Sequence, residues 1–166
     1  MEAGALEVLV ARHGGEREAL WAVRRELSRA LRAQARFKLA EDVVVPRSQI
    51  ATLLDRCRVI SEELSLRMPT YGHAGDGNLH VNFLWDDEAE RPRVEQGIER
   101  LFREVIALRG TLSGEHGIGL LKAPYLHLEQ SPELIALQRR VKSLFDPKGV
   151  LNPGKIFPAA RGHGPC

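Results

Sequence analysis

Residues 73–82 read HAGDGNLHVN, and the way this stretch folds decides how the chain is built. An Asp-Gly pair between two extended runs is a strong hairpin signal, because a type I′ turn requires positive φ at both central residues. With Asp76 and Gly77 in those places, Gly75 opposes Asn78, Ala74 opposes Leu79, and His73 opposes His80. Opposed residues share a sheet face with Cβ atoms about 4.5–5.5 Å apart, so both imidazoles can reach one ion. Asn82, two residues beyond His80, points to the same side, while Val81, Phe83 and Trp85 alternate with it and can face a core. The plain alternative is a pair of polar surface histidines beside a tight glycine loop.

A second stretch favours the ion. Residues 111–119, TLSGEHGIG, set Glu115 and His116 between Gly114 and Gly117, where the backbone can approach other groups closely. Glu115 offers a hard anionic oxygen, and with His73 and His80 it makes a His₂Glu set, a donor combination of catalytic zinc sites that keep open positions. His116 is then left free as a base beside the metal. Without an ion the segment is a glycine-rich loop carrying a surface acid and an imidazole.

Composition bounds the rest. With 166 residues, 43% of them hydrophobic and a net charge of +2, the chain is long enough for one domain with a real core. No apolar run approaches the ~18 residues that span a bilayer. The N-terminus lacks the basic-then-apolar form of a signal peptide. Two cysteines, Cys57 and Cys166, give no disulfide framework and no CxxC pair, so a reducing, cytoplasmic setting is expected.

Outward from the two loops, the pattern is of alternating strands and amphipathic helices. Residues 5–12, ALEVLVAR, are β-prone, and Gly14-Gly15 break the chain before a helix with Leu20, Val23, Leu27 and Leu31 on its apolar stripe. Arg25, Arg29, Arg32 and Arg36 line the opposite side. Such a row could grip phosphate, but no aromatic is interleaved with it and acidic residues nearly cancel it, so a solvated face and no nucleic-acid partner are expected. Trp21, Arg24 and Ser28 follow at i, i+3 and i+7 on the edge of the apolar face, where a half-buried arginine could hold a carboxylate by a bidentate contact.

EDVVVP at 41–46 predicts a short strand ended by Pro46. Ser48 is expected to cap a helix with Ile50, Leu53, Leu54, Cys57, Ile60 and Leu64 inward. A further helix runs from Pro92 to Leu108 with Val94, Ile98, Leu101, Phe102 and Val105 inward and Gly110 as its left-handed stop. Ser131-Pro132 open another, with Leu134, Leu137, Val141, Leu144 and Phe145 inward. Residues 146–158 are a string of turn formers that reads as a fixed tail, and 159–166 as a disordered end. The fold class expected is α+β, a mostly antiparallel sheet with helices packed on one face.

LWAVRR at 20–25, HAGDGNLHVN at 73–82, SGEHGIG at 113–119 and DPKGVLNPGK at 146–155 stand in one order. Together they resemble the C-terminal domain of FAD-linked oxidases of the vanillyl-alcohol oxidase type, such as the FAD subunit of glycolate oxidase, D-lactate dehydrogenases and D-2-hydroxyglutarate dehydrogenase. The resemblance implies a two-electron oxidation of a 2-hydroxy acid. His73, His80 and Glu115 match the ligands of a divalent metal, usually zinc, and His116 matches the base. Arg24, Ser28 and Lys38 fall where the family holds substrate carboxylates, Asn82 matches another substrate-side residue, and Asn152 a position on the cofactor side.

Family members also carry an N-terminal FAD-binding domain, and no glycine-rich pyrophosphate loop leading into a helix appears in this sequence. The expectation is therefore a single domain over 1–158, the substrate- and metal-binding cap portion. FAD would sit on a missing domain or on a partner subunit, and the chain would be inactive alone. The alternative is a non-catalytic binding or interaction domain that keeps the fold. A cap surface left uncovered favours self-association, so a homodimer is expected.

Overall fold

The computed structural model describes residues 8–157. At its centre is β3, Asn78–Trp85, in which all eight residues are buried. β1 (Phe37–Val44) and β2 (Thr70–His73) flank it in the order β1-β3-β2, both antiparallel to it. The helices are α1 (Gly14–Arg32), α2 (Ile50–Glu63), α3 (Arg91–Ala107) and α4 (Pro132–Phe145). The arrangement is α+β.

Period-two alternation sends Leu79, Val81, Phe83 and Trp85 to one face, and the core forms there. α2 presents Leu53, Cys57 and Ile60 to it, and α3 presents Val94, Ile98, Leu101, Phe102 and Val105, the helical spacings read from sequence. Gly97 lets α3 approach closely: a Cβ there would stand 2.7 Å from Leu66 Cδ1 and 3.0 Å from Phe83 Cε1. Burial holds the Cys57 thiol neutral, its pKa pushed up to about 12.

Several local expectations are corrected. The hairpin closes by a four-residue loop, Ala74 to Gly77, so that His73 pairs with Asn78 and Tyr71 with His80. Only Gly77 takes positive φ (81°), whereas the Asp76 carboxylate accepts the Asn78 N–H at 3.0 Å in a local turn. The Gly77 carbonyl is also tied to the Val45 N–H (3.2 Å), which fixes the loop to the end of β1. β1 begins at Phe37, earlier than the β-branched run suggests. Ser48 caps nothing: residues 47–49 form a 3₁₀ turn, and α2 starts after Gln49 without a side-chain cap. The left-handed residue after α3 is Arg109 (φ 60°), and Gly110 serves close approach instead, since a Cβ there would meet Val44 O at 2.2 Å. Ser131 does cap α4, accepting the Leu134 N–H.

The larger departures concern burial. No residue of α1 or α4 is buried. Val23 is 67% exposed, and Leu144 and Phe145 are each 79% exposed, so these apolar stripes face outward rather than into the core. Residues 8–12 form no strand, because no strand among the described residues lies beside them; the rest of that expected strand, 5–7, and the expected disordered end, 159–166, lie outside the described residues. The tail folds back on α4. Asp146 accepts N–H groups of Val150 and Leu151 and pairs with Lys142, and Ile156 N–H donates to Gly119 O at 2.7 Å.

Candidate functional site

The face of β3 opposite the core carries Asn78, His80 and Asn82, with Tyr71 and His73 beside them on β2. A shift of two residues in register preserves parity, so His73 and His80 still share this face, as diagonal rather than opposed neighbours. Their ring centroids are 5.6 Å apart, edge to face. The loop after Leu112 brings the other two groups. The His116 ring stacks on His80 at 5.5 Å, and Glu115 Oε1 lies 3.4 Å from His80 Nε2 and 3.7 Å from His116 Nε2.

One donor atom from each of His73, His80 and Glu115 falls within 4.8 Å of the others. Two ligands bound tetrahedrally at ~2.0–2.1 Å are separated by ~3.4 Å. The His80–Glu115 pair already has that spacing, at 3.4 Å, and His73 has a donor atom within 4.8 Å of both. The set therefore fits a divalent ion. His80 is 7% exposed, and burial lowers its pKa below the usual histidine value against the opposing pull of Glu115 and Asp42, a shift toward the neutral imidazole that a metal ligand needs. Arg24 Nη2 stands 3.3 Å from His73 Nε2, and because a guanidinium only donates, that nitrogen is the acceptor and carries a lone pair. The same guanidinium lies 5.1 Å over the Tyr71 ring.

The remaining residues named from sequence are placed as follows. Lys38 Nζ donates to Ser28 Oγ (2.8 Å) and Ser28 O (3.1 Å), tying β1 to α1 and making the two a pair. Asn82 is fully buried, its Nδ2 held by Pro69 O and His80 O, both at 3.0 Å. Asn152 stands in the tail turn at φ 46°, its carbonyl accepting the Lys155 N–H. Thus Arg24, His73, His80, Glu115 and His116 come together, Ser28 joins Lys38, and the Asn82 amide is spent on backbone carbonyls.

Sequence reading missed Asp42 and Lys122. Asp42 is fully buried on the same sheet face, opposite His80, and accepts the backbone N–H groups of Gly114, Glu115 and His116. Lys122 Nζ, also buried, donates to Asp42 O and Leu112 O. The only available signal was an acidic pair, Glu41-Asp42, opening a β-branched run. Burial alone would raise the Asp42 pKa, but the His116 and Glu115 amides, with Lys122 nearby, bring it down to about 2.

Comparison with known proteins shows the family. The sequence profile of FAD linked oxidases, C-terminal domain, matches residues 1–156. The chain is 42% identical over 158 residues to glycolate oxidase subunit GlcD of Bacillus subtilis (strain 168), a match covering 92% of this chain and 33% of that protein. It is 38% identical over 159 residues to a D-lactate dehydrogenase of Anaerostipes hadrus, covering 94% and 34%. A D-lactate dehydrogenase of Archaeoglobus fulgidus is 37% identical over 161 residues, covering 92% and 34%. The chain spans about a third of the length of these relatives. From a match of this extent on an α+β framework, we conclude that the chain belongs to the family of FAD linked oxidases, C-terminal domain.

Proposed function

We propose that this chain is the substrate- and metal-binding portion of an FAD-dependent 2-hydroxy acid oxidoreductase of the glycolate or D-lactate type, working with a flavin-binding domain or subunit. The observation that carries the reading is the convergence of His73, His80 and Glu115 within 4.8 Å, with His116 stacked on His80. Its support is the family, whose relatives above are named for glycolate oxidase and D-lactate dehydrogenase.

The substrate's carboxylate and hydroxyl would enter between the cluster and α1. Arg24 holds the carboxylate by two parallel N–H bonds, turning from His73 to do so, and the Ser28–Lys38 pair adds donors on the same helix-to-strand seam. Asn82 acts from beneath, fixing the His80 carbonyl through its amide. His116 accepts the hydroxyl proton at an imidazole nitrogen while the hydrogen on the same carbon leaves as hydride, giving a 2-oxo acid. A divalent ion, zinc in this proposal, supplies Lewis acidity that lowers the hydroxyl pKa. FAD, carried by the flavin-binding domain or subunit, supplies the hydride acceptor, with Asn152 on its side.

The partner has surfaces to cover. Leu144 and Phe145 at the end of α4 are 79% exposed, and Val23 of α1 is 67% exposed. Large apolar side chains left exposed on amphipathic helices suit contact surfaces. The flavin-bearing partner would bury them, and in its absence a second copy of the chain would. Among the described residues no helix is long and apolar enough to cross a membrane. A reducing, cytoplasmic setting belongs to the same proposal, supported by the free thiol of Cys57 in the core.

The test is metal content by mass spectrometry on untagged protein, for wild type and for His73→Ala, His80→Ala and Glu115→Ala. Near-stoichiometric zinc or another divalent ion that disappears in each variant supports the reading. Wild-type protein that is metal-free and takes up no added zinc overturns it.

A further inference from the structure

Glu115 and His116 lie on a loop rather than on the sheet, so something must hold that loop to within ligand distance of His80. Asp42 does this from below. Its Oδ2 accepts three consecutive backbone amides, Gly114 (2.9 Å), Glu115 (2.9 Å) and His116 (2.8 Å), and the Ser113 hydroxyl at 3.2 Å. Successive N–H groups converging on one anionic oxygen form a nest, and bonds to an ionised acceptor are among the stronger hydrogen bonds in proteins. Lys122 Nζ stands 3.8 Å from the same oxygen and fastens the strand and the loop's root together through Asp42 O (2.6 Å) and Leu112 O (2.7 Å).

The seat is shaped for this contact. A Cβ on Gly114 would lie 2.8 Å from Asp42 Oδ1, 2.8 Å from Asn78 Nδ2 and 2.8 Å from Val44 Cγ2, so only glycine lets the loop settle onto the carboxylate. With the backbone nitrogens of Glu115 and His116 fixed, their side chains start from fixed points. Glu115 Oε1 then reaches His80 Nε2 at 3.4 Å, and the His116 ring lies parallel to His80 within 16°.

We propose that Asp42, backed by Lys122, is the positioning residue of this centre: its buried carboxylate sets the 113–116 loop so that Glu115 and His116 meet His80. The proposal rests on the reading of His73, His80 and Glu115 as metal ligands. Asp42 touches neither the ion nor the substrate and acts only through the loop.

Asp42→Asn and Asp42→Ala test it in the whole chain, with Gly114→Val as a variant that lifts the loop while leaving the carboxylate in place. Asp55→Asn is the control, because Asp55 is an exposed residue of α2 whose carboxylate pairs with Arg58. Zinc affinity is measured by competition with a chromophoric chelator, the unfolding midpoint in urea is recorded, and hydrogen exchange of the Gly114, Glu115 and His116 amides is followed by NMR.

Asp42→Asn is expected to bind zinc about 10–100-fold more weakly, the loss usual when a group behind a metal ligand is removed. Its three loop amides exchange faster, while the β3 amides keep their protection. Gly114→Val reproduces both effects, which decides the matter if the Asp42 variants do not fold. Asp55→Asn binds zinc as wild type does. Wild-type zinc affinity and unchanged loop exchange in Asp42→Asn or Gly114→Val overturn the proposal. If wild type itself takes up no zinc, the metal reading has failed separately, and the exchange of the three amides alone then upholds or overturns the role of Asp42.

Discussion

Gly77→Ala tests the geometry that fixes the two histidines relative to each other. Gly77 has φ +81°, and a Cβ built there lies 2.0 Å from the carbonyl oxygen of Val45. Left-handed backbone costs a residue with a Cβ about 1–2 kcal/mol. The contact is between backbone atoms, so no rotamer change relieves it, and carbon and carbonyl oxygen need about 3.3 Å. The loop must therefore draw back from β1, and the bond from Val45 N–H to Gly77 O, 3.2 Å long, is lost. A lost backbone bond adds about 0.5–1.5 kcal/mol, so the variant is expected to be destabilised by about 1.5–3.5 kcal/mol. Urea unfolding followed by the fluorescence of the buried Trp85 reads this as a lower midpoint with an unchanged slope. Asp76→Gly is the companion. In a two-residue type I′ turn it would relieve positive φ at Asp76 and stabilise, whereas in the four-residue loop it only removes the carboxylate that holds the Asn78 N–H and destabilises. A Gly77→Ala midpoint within about 0.5 kcal/mol of wild type, or a stabilised Asp76→Gly, would refute the reasoning.

Phe102→Ala, removing a fully buried ring, is expected to cost about 3–5 kcal/mol in urea unfolding, and Leu144→Ala at the 79% exposed end of α4 less than about 0.5 kcal/mol. Equal effects would show that α4 belongs to the core. Burial raises the Glu41 carboxyl to about 7 from 4.5, partly resisted by Lys122 and reinforced by Asp42. A pKa raised by folding contributes stability that is complete below 4.5 and lost as pH rises through 7. Melting temperature against pH should therefore fall across that interval in wild type and stay flatter in Glu41→Gln; parallel curves would remove Glu41 as the cause. Arg24→Lys keeps the charge but loses the planar fork. Under the proposed function, in protein reconstituted with a flavin-binding domain, it is expected to raise KM for a 2-hydroxy acid ~10-fold with metal content unchanged, and an unaltered KM would take Arg24 out of the proposed carboxylate site.

The parts of the fold that follow from periodicity were legible in the sequence. The alternation in β3 and the 94, 98, 101, 102, 105 spacing in α3 name the buried residues because each pattern has one apolar face and that face is covered. The hairpin shows where such reading stops. Alternation determines which face His73 and His80 share, but the turn determines register, and a register shift of two leaves the face unchanged. The cluster was therefore found with the wrong pairing. The stripes of α1 and α4 are equally periodic and lie exposed, since amphipathicity says that a face needs cover and not what covers it. Asp42 was invisible because the amides it gathers lie 72 to 74 positions further along the chain.

β3 carries the core on alternate residues and His80 among those between, with all eight buried. A strand used on both faces cannot be loosened on one of them alone. A ligand held at His80 that prefers the folded chain would consequently be a ligand of the folded state as a whole, and its binding would register as global stability that grows with its concentration above Kd. The same coupling means that trimming Val81 or Phe83, on the core side, would lower the occupancy of any ligand held at His80 through the equilibrium between folded and unfolded chains, without altering a contact to that ligand.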